Sequence, residues 1–201
     1  MAKVNLVLAL SLVLISSLGH AEGNAKAGEE KAAACGGCHG VDGNGSAPIF
    51  PKLANQHTGY LIKQLHDFKT QKRVEPTMNA MAEPLSDEDM LDIAAYYGQL
   101  KISPEPDTHN ALGRTVYRSG AKERGIPACS GCHGPEGSGN PYAKFPGLHG
   151  QYAAYIEKTL SDYKSGERAN DPNSIMRSIA QKLSDEEITA VSEFASSLHH
   201  P

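Results

Sequence analysis

Two short phrases constrain this 201-residue chain more than anything else in it: Ala34-Cys35-Gly36-Gly37-Cys38-His39-Gly40 and Ala128-Cys129-Ser130-Gly131-Cys132-His133-Gly134, which between them use all 4 cysteines. The repeat runs well beyond the cysteines. Gly43-Asn44-Gly45 matches Gly137-Ser138-Gly139 at the same spacing of 94, and Phe50-Pro51-Lys52-Leu53 matches Phe145-Pro146-Gly147-Leu148 at 95. Gln56, Tyr60, Leu65, Phe68, Lys69 and Arg73 pair with Gln151, Tyr155, Leu160, Tyr163, Lys164 and Arg168, also at 95. Leu85-Ser86-Asp87-Glu88 then pairs with Leu183-Ser184-Asp185-Glu186 at 98. A chain written twice in this way is expected to fold as two copies of one unit. Between the copies, Ile102-Ser103-Pro104-Glu105-Pro106-Asp107 carries two prolines, which resist helix and favour an extended linker. The expected organisation is a domain over residues 22–101, a linker over 102–108 and a second domain over 109–201.

The periodicity predicts helices and almost no strands. Met90, Ile93, Ala94 and Tyr97 fall at i, i+3, i+4 and i+7, one apolar stripe of a helix between Ser86 and Leu100. Ser86-x-x-Asp89 and Ser184-x-x-Glu187 have the form of capping boxes, which start a helix by satisfying its free N–H groups. Leu61, Leu65 and Phe68, and again Ile156, Leu160 and Tyr163, repeat an i, i+4, i+7 pattern. A third helix in each copy is expected to lead into the cysteine phrase, over residues 25–34 and 111–120. The fold class read from the sequence is all-α, two tandem domains.

Three chemistries compete for a Cys-x-x-Cys. A thioredoxin-like redox pair needs a βαβ pattern, and none is visible. A zinc site built from two such pairs has them about 15–20 residues apart, far closer than here. A disulfide within each pair leaves both histidines unexplained. Covalent c-type haem accounts for all of them: two thioethers from the cysteines, with the adjacent histidine bound to iron. That reading gives two covalently bound haem c groups, one on Cys35 and Cys38 with His39, the other on Cys129 and Cys132 with His133. Pro51 and Pro146 follow at equivalent distances and offer backbone carbonyls to hold the histidine rings, with Leu53 and Leu148 packing on the porphyrins.

The sixth iron ligand is chosen by the repeat. Of Met78, Met81, Met90 and Met176, sliding by 98 sends Met78 to Met176, Met81 to Ile179 and Met90 to Ile188. A thioether exchanging with a branched aliphatic suits core filling, so Met81 and Met90 read as core. Met78 and Met176, expected in loops, read as the ligands; Met81 as the first ligand is the alternative. Bis-histidine ligation is the other alternative, but His57, His66 and His149 have no histidine counterparts in the other copy. Gln56, Tyr60, Arg73 and their partners Gln151, Tyr155 and Arg168 are assigned to haem propionates or to the interdomain seam, with solvated surface equally open for the arginines.

The N-terminus bears on location. Lys3 followed by an apolar run over Val4–Leu18 and by Gly19-His20-Ala21 has the form of a secretory signal peptide, expected to be cleaved after residue 21. The formal net charge is −4, which excludes a basic nucleic-acid binder. Residues 22–106 hold 8 basic and 12 acidic groups and residues 107–201 hold 10 and 11, so the first half is the more acidic and is expected to hold the lower-potential haem.

Taken together, two Cys-x-x-Cys-His domains, a short Pro-containing linker, the Phe-Pro-x-Leu phrases and methionines seven residues before Leu-Ser-Asp-Glu resemble the dihaem cytochrome c4 family over Glu22–His200. The resemblance implies two cytochrome c-like folds facing each other about a pseudo-twofold axis, with haem propionate edges close together. It also implies a periplasmic electron carrier, loosely associated with membranes, that passes single electrons between redox proteins and towards a terminal oxidase. His/Met ligation leaves no open iron position, which favours a carrier over an enzyme. The competing classes are a dihaem redox enzyme of peroxidase or thiosulfate-oxidising type and a fixed subunit of a membrane redox complex. The tail Leu198-His199-His200-Pro201 has no assigned role.

Overall fold

The computed structural model describes residues 23–199; the expected signal segment 1–21 lies outside the described residues, as do Glu22, His200 and Pro201. Ten α-helices are present among the described residues: α1 Ala25–Lys31, α2 Gly36–His39, α3 Thr58–Lys69, α4 Pro76–Ala82 and α5 Asp87–Gln99 in the first half, then α6 Ala111–Ser119, α7 Ser130–His133, α8 Ala153–Ser165, α9 Ile175–Ala180 and α10 Asp185–Ser196 in the second. No strand is formed among them beyond two isolated bridges, Ala121 with Ile126 and Asn140 with Phe145. In each half the first and last helices pack together, α1 on α5 and α6 on α10, and the middle helix lies on the last, α3 on α5 and α8 on α10.

The local reasons are those written in the sequence. Ser86 and Ser184 close reciprocal capping boxes with Asp89 and Glu187 at the starts of α5 and α10. The apolar stripe of α5 buries Met90, Ile93, Ala94 and Tyr97, and that of α10 buries Ile188, Val191 and Ala195. α1 is shorter than the expected 25–34 segment, because the chain tightens into a 3₁₀ turn at Ala32–Ala34 before the cysteines. Where the first and last helices cross, a Cβ on Gly28 would lie 2.0 Å from the Asp92 carbonyl oxygen, and one on Gly113 would lie 1.9 Å from that of Ala190. Only glycine allows backbone to approach backbone this closely. The two cores divide their volume differently: Ala32 shares the first core with Tyr97, whereas in the second the order is inverted and Tyr117 sits with Ala195.

Met78 and Met176 are not in loops. They lie in the first turns of α4 and α9. Pro76 sets the first helical φ of α4, and the Glu75 carboxylate caps it by accepting from the Met78 N–H at 2.8 Å. α9 follows a 3₁₀ turn at Pro172–Ser174, and the Asp171 carboxylate accepts from the Arg177 N–H at 3.0 Å. Met90 is fully buried, as core filling requires, but Met81 is 37% exposed and so is not core. Its counterpart Ile179 packs against the second core. No helix among the described residues is long and apolar enough to cross a membrane.

Residues 101–110 are without helix, and this segment is held down. The Asn44 side chain accepts from the Ser103 N–H at 2.6 Å and donates to the Lys101 carbonyl at 3.1 Å. The Lys52 ammonium, 2% exposed, donates to the Ser103 carbonyl at 2.8 Å and to Glu105 at 2.6 Å, and lies 4.6 Å from the Tyr152 ring centroid.

The two halves meet through contacts that exchange under a twofold rotation. Gln56 bonds to the backbone of Gly147, and Gln151 to the backbone of the equivalent Lys52. The Arg73 guanidinium donates to the Tyr155 hydroxyl at 3.0 Å, and Arg168 donates to that of Tyr60 at 3.1 Å. Solvated surface is thereby ruled out for Arg168, which is 4% exposed. The molecule is two copies of an all-α fold related by a pseudo-twofold axis.

Candidate functional site

Each cysteine phrase forms one helical turn. The His39 N–H bonds to the Cys35 carbonyl at 3.0 Å, and the His133 N–H to that of Cys129 at 2.9 Å, so both cysteines and the histidine of each phrase share a single turn. Gly40 and Gly134, at φ 77 and φ 80, stop that turn directly after the histidine. The loop that follows folds back: the Gly45 and Gly139 N–H groups bond to the His39 and His133 carbonyls, each at 2.7 Å, which brings Pro51 and Pro146 beneath the rings. His39 Nδ1 donates to the Pro51 carbonyl at 2.8 Å, and His133 Nδ1 donates to the Pro146 carbonyl at 2.9 Å. With the proton on Nδ1, the lone pair of each imidazole is on Nε2. Burial holds both rings below the ordinary histidine range, partly opposed by the proline carbonyls, so both stay neutral.

Cys132 is exposed and the other three cysteines are half-buried. Burial pushes the Cys35 thiol up, and that of Cys129 to about 11. A thiol-disulfide catalyst needs the opposite, a thiolate stabilised near neutral pH by a cation or a helix N-terminus. Cys35 and Cys129 thus lack the lowered thiol that such a catalyst uses. Cys129, Leu148 and Met176 are half-buried and pack against one apolar cluster in the second half, and Cys35 and Leu53 do so in the first. Among the remaining histidines, His57 Nε2 bonds to the Ser138 carbonyl at 2.8 Å and His149 bonds to the Gly137 carbonyl and the Asn55 amide at 3.0 and 3.3 Å. Both serve the seam.

The other side of the seam is a buried polar network that the sequence only half announced. Arg168 donates to Tyr60 Oη, to Gln64 Oε1 at 3.0 Å and to Asn170 Oδ1 at 2.9 Å, all neutral acceptors. Arg73 donates to Gln64 Oε1 at 2.9 Å, and Asn170 in turn donates to Asp67 at 2.6 Å, which also pairs with Lys63. Burial pushes the Tyr155 phenol up, and the Arg73 and Arg168 guanidiniums more than reverse this, to about 8. Within the network, three cations face the single carboxylate of Asp67. Lys63 and Asp67 repeat as Lys158 and Asp162 at 95, an i, i+4 ion pair in each half, whereas Gln64 and Asn170 stand against Thr159 and Glu75 and have no repeat signal.

These features fit covalently held haem. Each half offers two thiols and a neutral imidazole of fixed tautomer on one turn, beside an apolar wall, and the seam carries surplus positive charge suited to propionate carboxylates. Comparison with known proteins agrees. The family model for cytochrome c matches twice, over residues 25–101 and 111–199. Cytochrome c4 of Pseudomonas aeruginosa is 48% identical over 199 residues, 98% of each chain. The chain belongs to the cytochrome c4 family. The crystal structure of reduced recombinant cytochrome c4 from Pseudomonas stutzeri superposes with a TM-score of 0.84 at 46% identity, covering 88% of this chain and 100% of that one. A Stutzerimonas stutzeri protein described as a thiosulfate dehydrogenase electron acceptor is 42% identical, over 81% of this chain and 78% of its own. As a cytochrome c4-family member, the protein is a dihaem electron-transfer protein with two covalently bound haem c groups, and is a carrier rather than an enzyme.

Proposed function

We propose that the protein is exported after cleavage of residues 1–21 and shuttles single electrons in the periplasm between a respiratory donor and a terminal oxidase. Its domains span residues 22–101 and 109–201, joined by 102–108. Cys35 and Cys38 hold one haem by thioether bonds, with His39 and Met78 on its iron; Cys129 and Cys132 hold the other, with His133 and Met176. The haem supplies the one-electron chemistry, and the chain supplies position and surroundings. The single observation that carries this reading is the pair of Nδ1 to proline carbonyl bonds, which leaves Nε2 of each motif histidine as the donor atom. Met78 over Met81 is supported by the repeat, which pairs Met78 with Met176 and Met81 with Ile179, and methionine over histidine by the engagement of His57 and His149 in the seam. Relatives described as electron acceptors of thiosulfate dehydrogenase support a dehydrogenase as one kind of donor.

A pyridine haemochrome assay with intact mass is expected to give two covalent haems on a chain beginning at Glu22. Met78→Ala is expected to halve the methionine to ferric iron charge-transfer band, as is Met176→Ala, while Met81→Ala leaves it whole. An unchanged band in Met78→Ala would refute the ligand assignment. On the partner side, the reduced protein is expected to support oxygen uptake by oxidase-containing membranes; no uptake would remove the oxidase from the proposal.

A further inference from the structure

The carbonyl of Pro51 and the N–H of Lys52 belong to one peptide group. Its carbonyl accepts from His39 Nδ1 at 2.8 Å, while its N–H donates to Gln151 Oε1, in the other half, at 3.0 Å. The second half repeats this: the Pro146 carbonyl accepts from His133 Nδ1 at 2.9 Å, and the Gly147 N–H of the same peptide donates to Gln56 Oε1 at 2.9 Å. Each glutamine also donates its Nε2 to the carbonyl of the residue it clasps, Lys52 at 2.9 Å and Gly147 at 3.0 Å. Each Oε1 accepts a further N–H, from Tyr152 and from His57, both at 3.0 Å. Two N–H donors on Oε1 and one carbonyl on Nε2 fix the amide orientation, since a flip would set donors against donors. Both glutamines are buried, 9% and 6% exposed.

We infer that Gln56 and Gln151 are positioning residues that tune the axial histidine of the opposite half: each is one end of a relay, glutamine to peptide to imidazole, that crosses the domain seam. This rests on the reading of His39 and His133 as iron ligands. A peptide whose N–H is engaged is polarised, so its carbonyl becomes the stronger acceptor, and bonds in such a chain reinforce one another by about 10–30% each. A stronger acceptor at Nδ1–H makes the imidazole more electron-rich and favours ferric iron. Removing the glutamine therefore raises the reduction potential, and raises it in the half that does not contain the substitution.

The experiment is a redox titration of the holoprotein followed by NMR, with the resonances of each haem assigned to its domain by contacts to nearby residues. Gln151→Leu is expected to move the first-half haem at least threefold towards the reduced form at a given potential, about 28 mV at 59 mV per tenfold for one electron, and the second-half haem by much less. Gln56→Leu is expected to do the reverse. The Nδ1 proton of His39 is expected to shift upfield in Gln151→Leu and to stay in place in Gln56→Leu. Should either leucine variant fail to fold, Gln151→Asn and Gln56→Asn, too short to reach the opposite peptide, carry the same comparison. Shifts confined to the substituted half, equal in both halves, or absent overturn the inference. The ligand reading is checked separately in the unsubstituted protein: His39 and His133 ring protons bound at iron carry extreme ring-current shifts, and their absence would refute the ligation itself.

Discussion

At the scale of single residues, the least replaceable side chain outside the cysteine phrases is Arg168. It is a buried guanidinium whose direct partners are all uncharged, so its removal takes the donor from Tyr60 Oη and Asn170 Oδ1, while Gln64 Oε1 keeps Arg73 and Asn170. Hydrogen bonds to charged groups contribute about 1.5–3 kcal/mol each, and Arg168→Leu is expected to cost about 3 kcal/mol in urea unfolding of the holoprotein. Arg168→Lys keeps the charge without the fork and is expected to recover less than half of that. Glu187 makes a second prediction. The Arg124 guanidinium, together with the Ser184 N–H, holds its carboxyl at about 2, below the ordinary 4.5. A depressed carboxyl stabilises the fold above its ordinary value and loses that contribution as pH falls through 4.5 towards about 2. Because Arg124 is 42% exposed, the effect is discounted for solvent screening to about 1–2 kcal/mol. Thermal melts are expected to show a steeper acid limb in this window for the native protein than for Glu187→Gln; equal limbs would remove Glu187 from the acid response.

At the scale of elements, the helix crossings decide whether each half can form. Gly28→Ala forces a methyl group into the Asp92 carbonyl, and is expected to cost roughly 2–3 kcal/mol by overpacking. Gly59→Ala, inside α3 and with no atom closer than 3.8 Å to the added carbon, is the matched control and is expected to be neutral or mildly stabilising. A melting temperature equally unchanged in both would show that α1 and α5 can separate at no cost. These crossings were not legible beforehand, because a glycine inside an apolar period gives no sign of which carbonyl it faces. What could be read was local: Ser86 with Asp89 and Ser184 with Glu187 start their helices as written, the stripes of α5 and α8 bury as their periods require, and that of α3 buries Leu61 and Phe68 with Leu65 half-buried. The one misplaced element was the methionine segment. Glu75-Pro76 is a helix start that a turn-rich neighbourhood disguised, so α4 was expected as a loop. The histidine rests on Pro51 and Pro146 were legible only because the chain states them twice.

At the scale of the whole molecule, the crossed glutamine, arginine and tyrosine contacts join the halves more firmly than their separate cores suggest. Calorimetry of the holoprotein is expected to show one cooperative transition, and Arg168→Leu to split it into two; two transitions in the unsubstituted protein would mean that the seam contributes little. The charge asymmetry also belongs to this scale. The more acidic first half is expected to titrate at the lower potential in low salt, with the gap narrowing as salt rises. Lys52 adds something that the linker's composition conceals. Its ammonium grips Ser103 and Glu105 while it rests on the Tyr152 ring, so the join between the halves is expected to behave as a strut and not as a hinge. An electron crossing from one half to the other is then expected to meet one fixed gap. Flash reduction of one centre is therefore expected to relax into the other along a single exponential, insensitive to solvent viscosity, where a hinged pair would show a spread of rates.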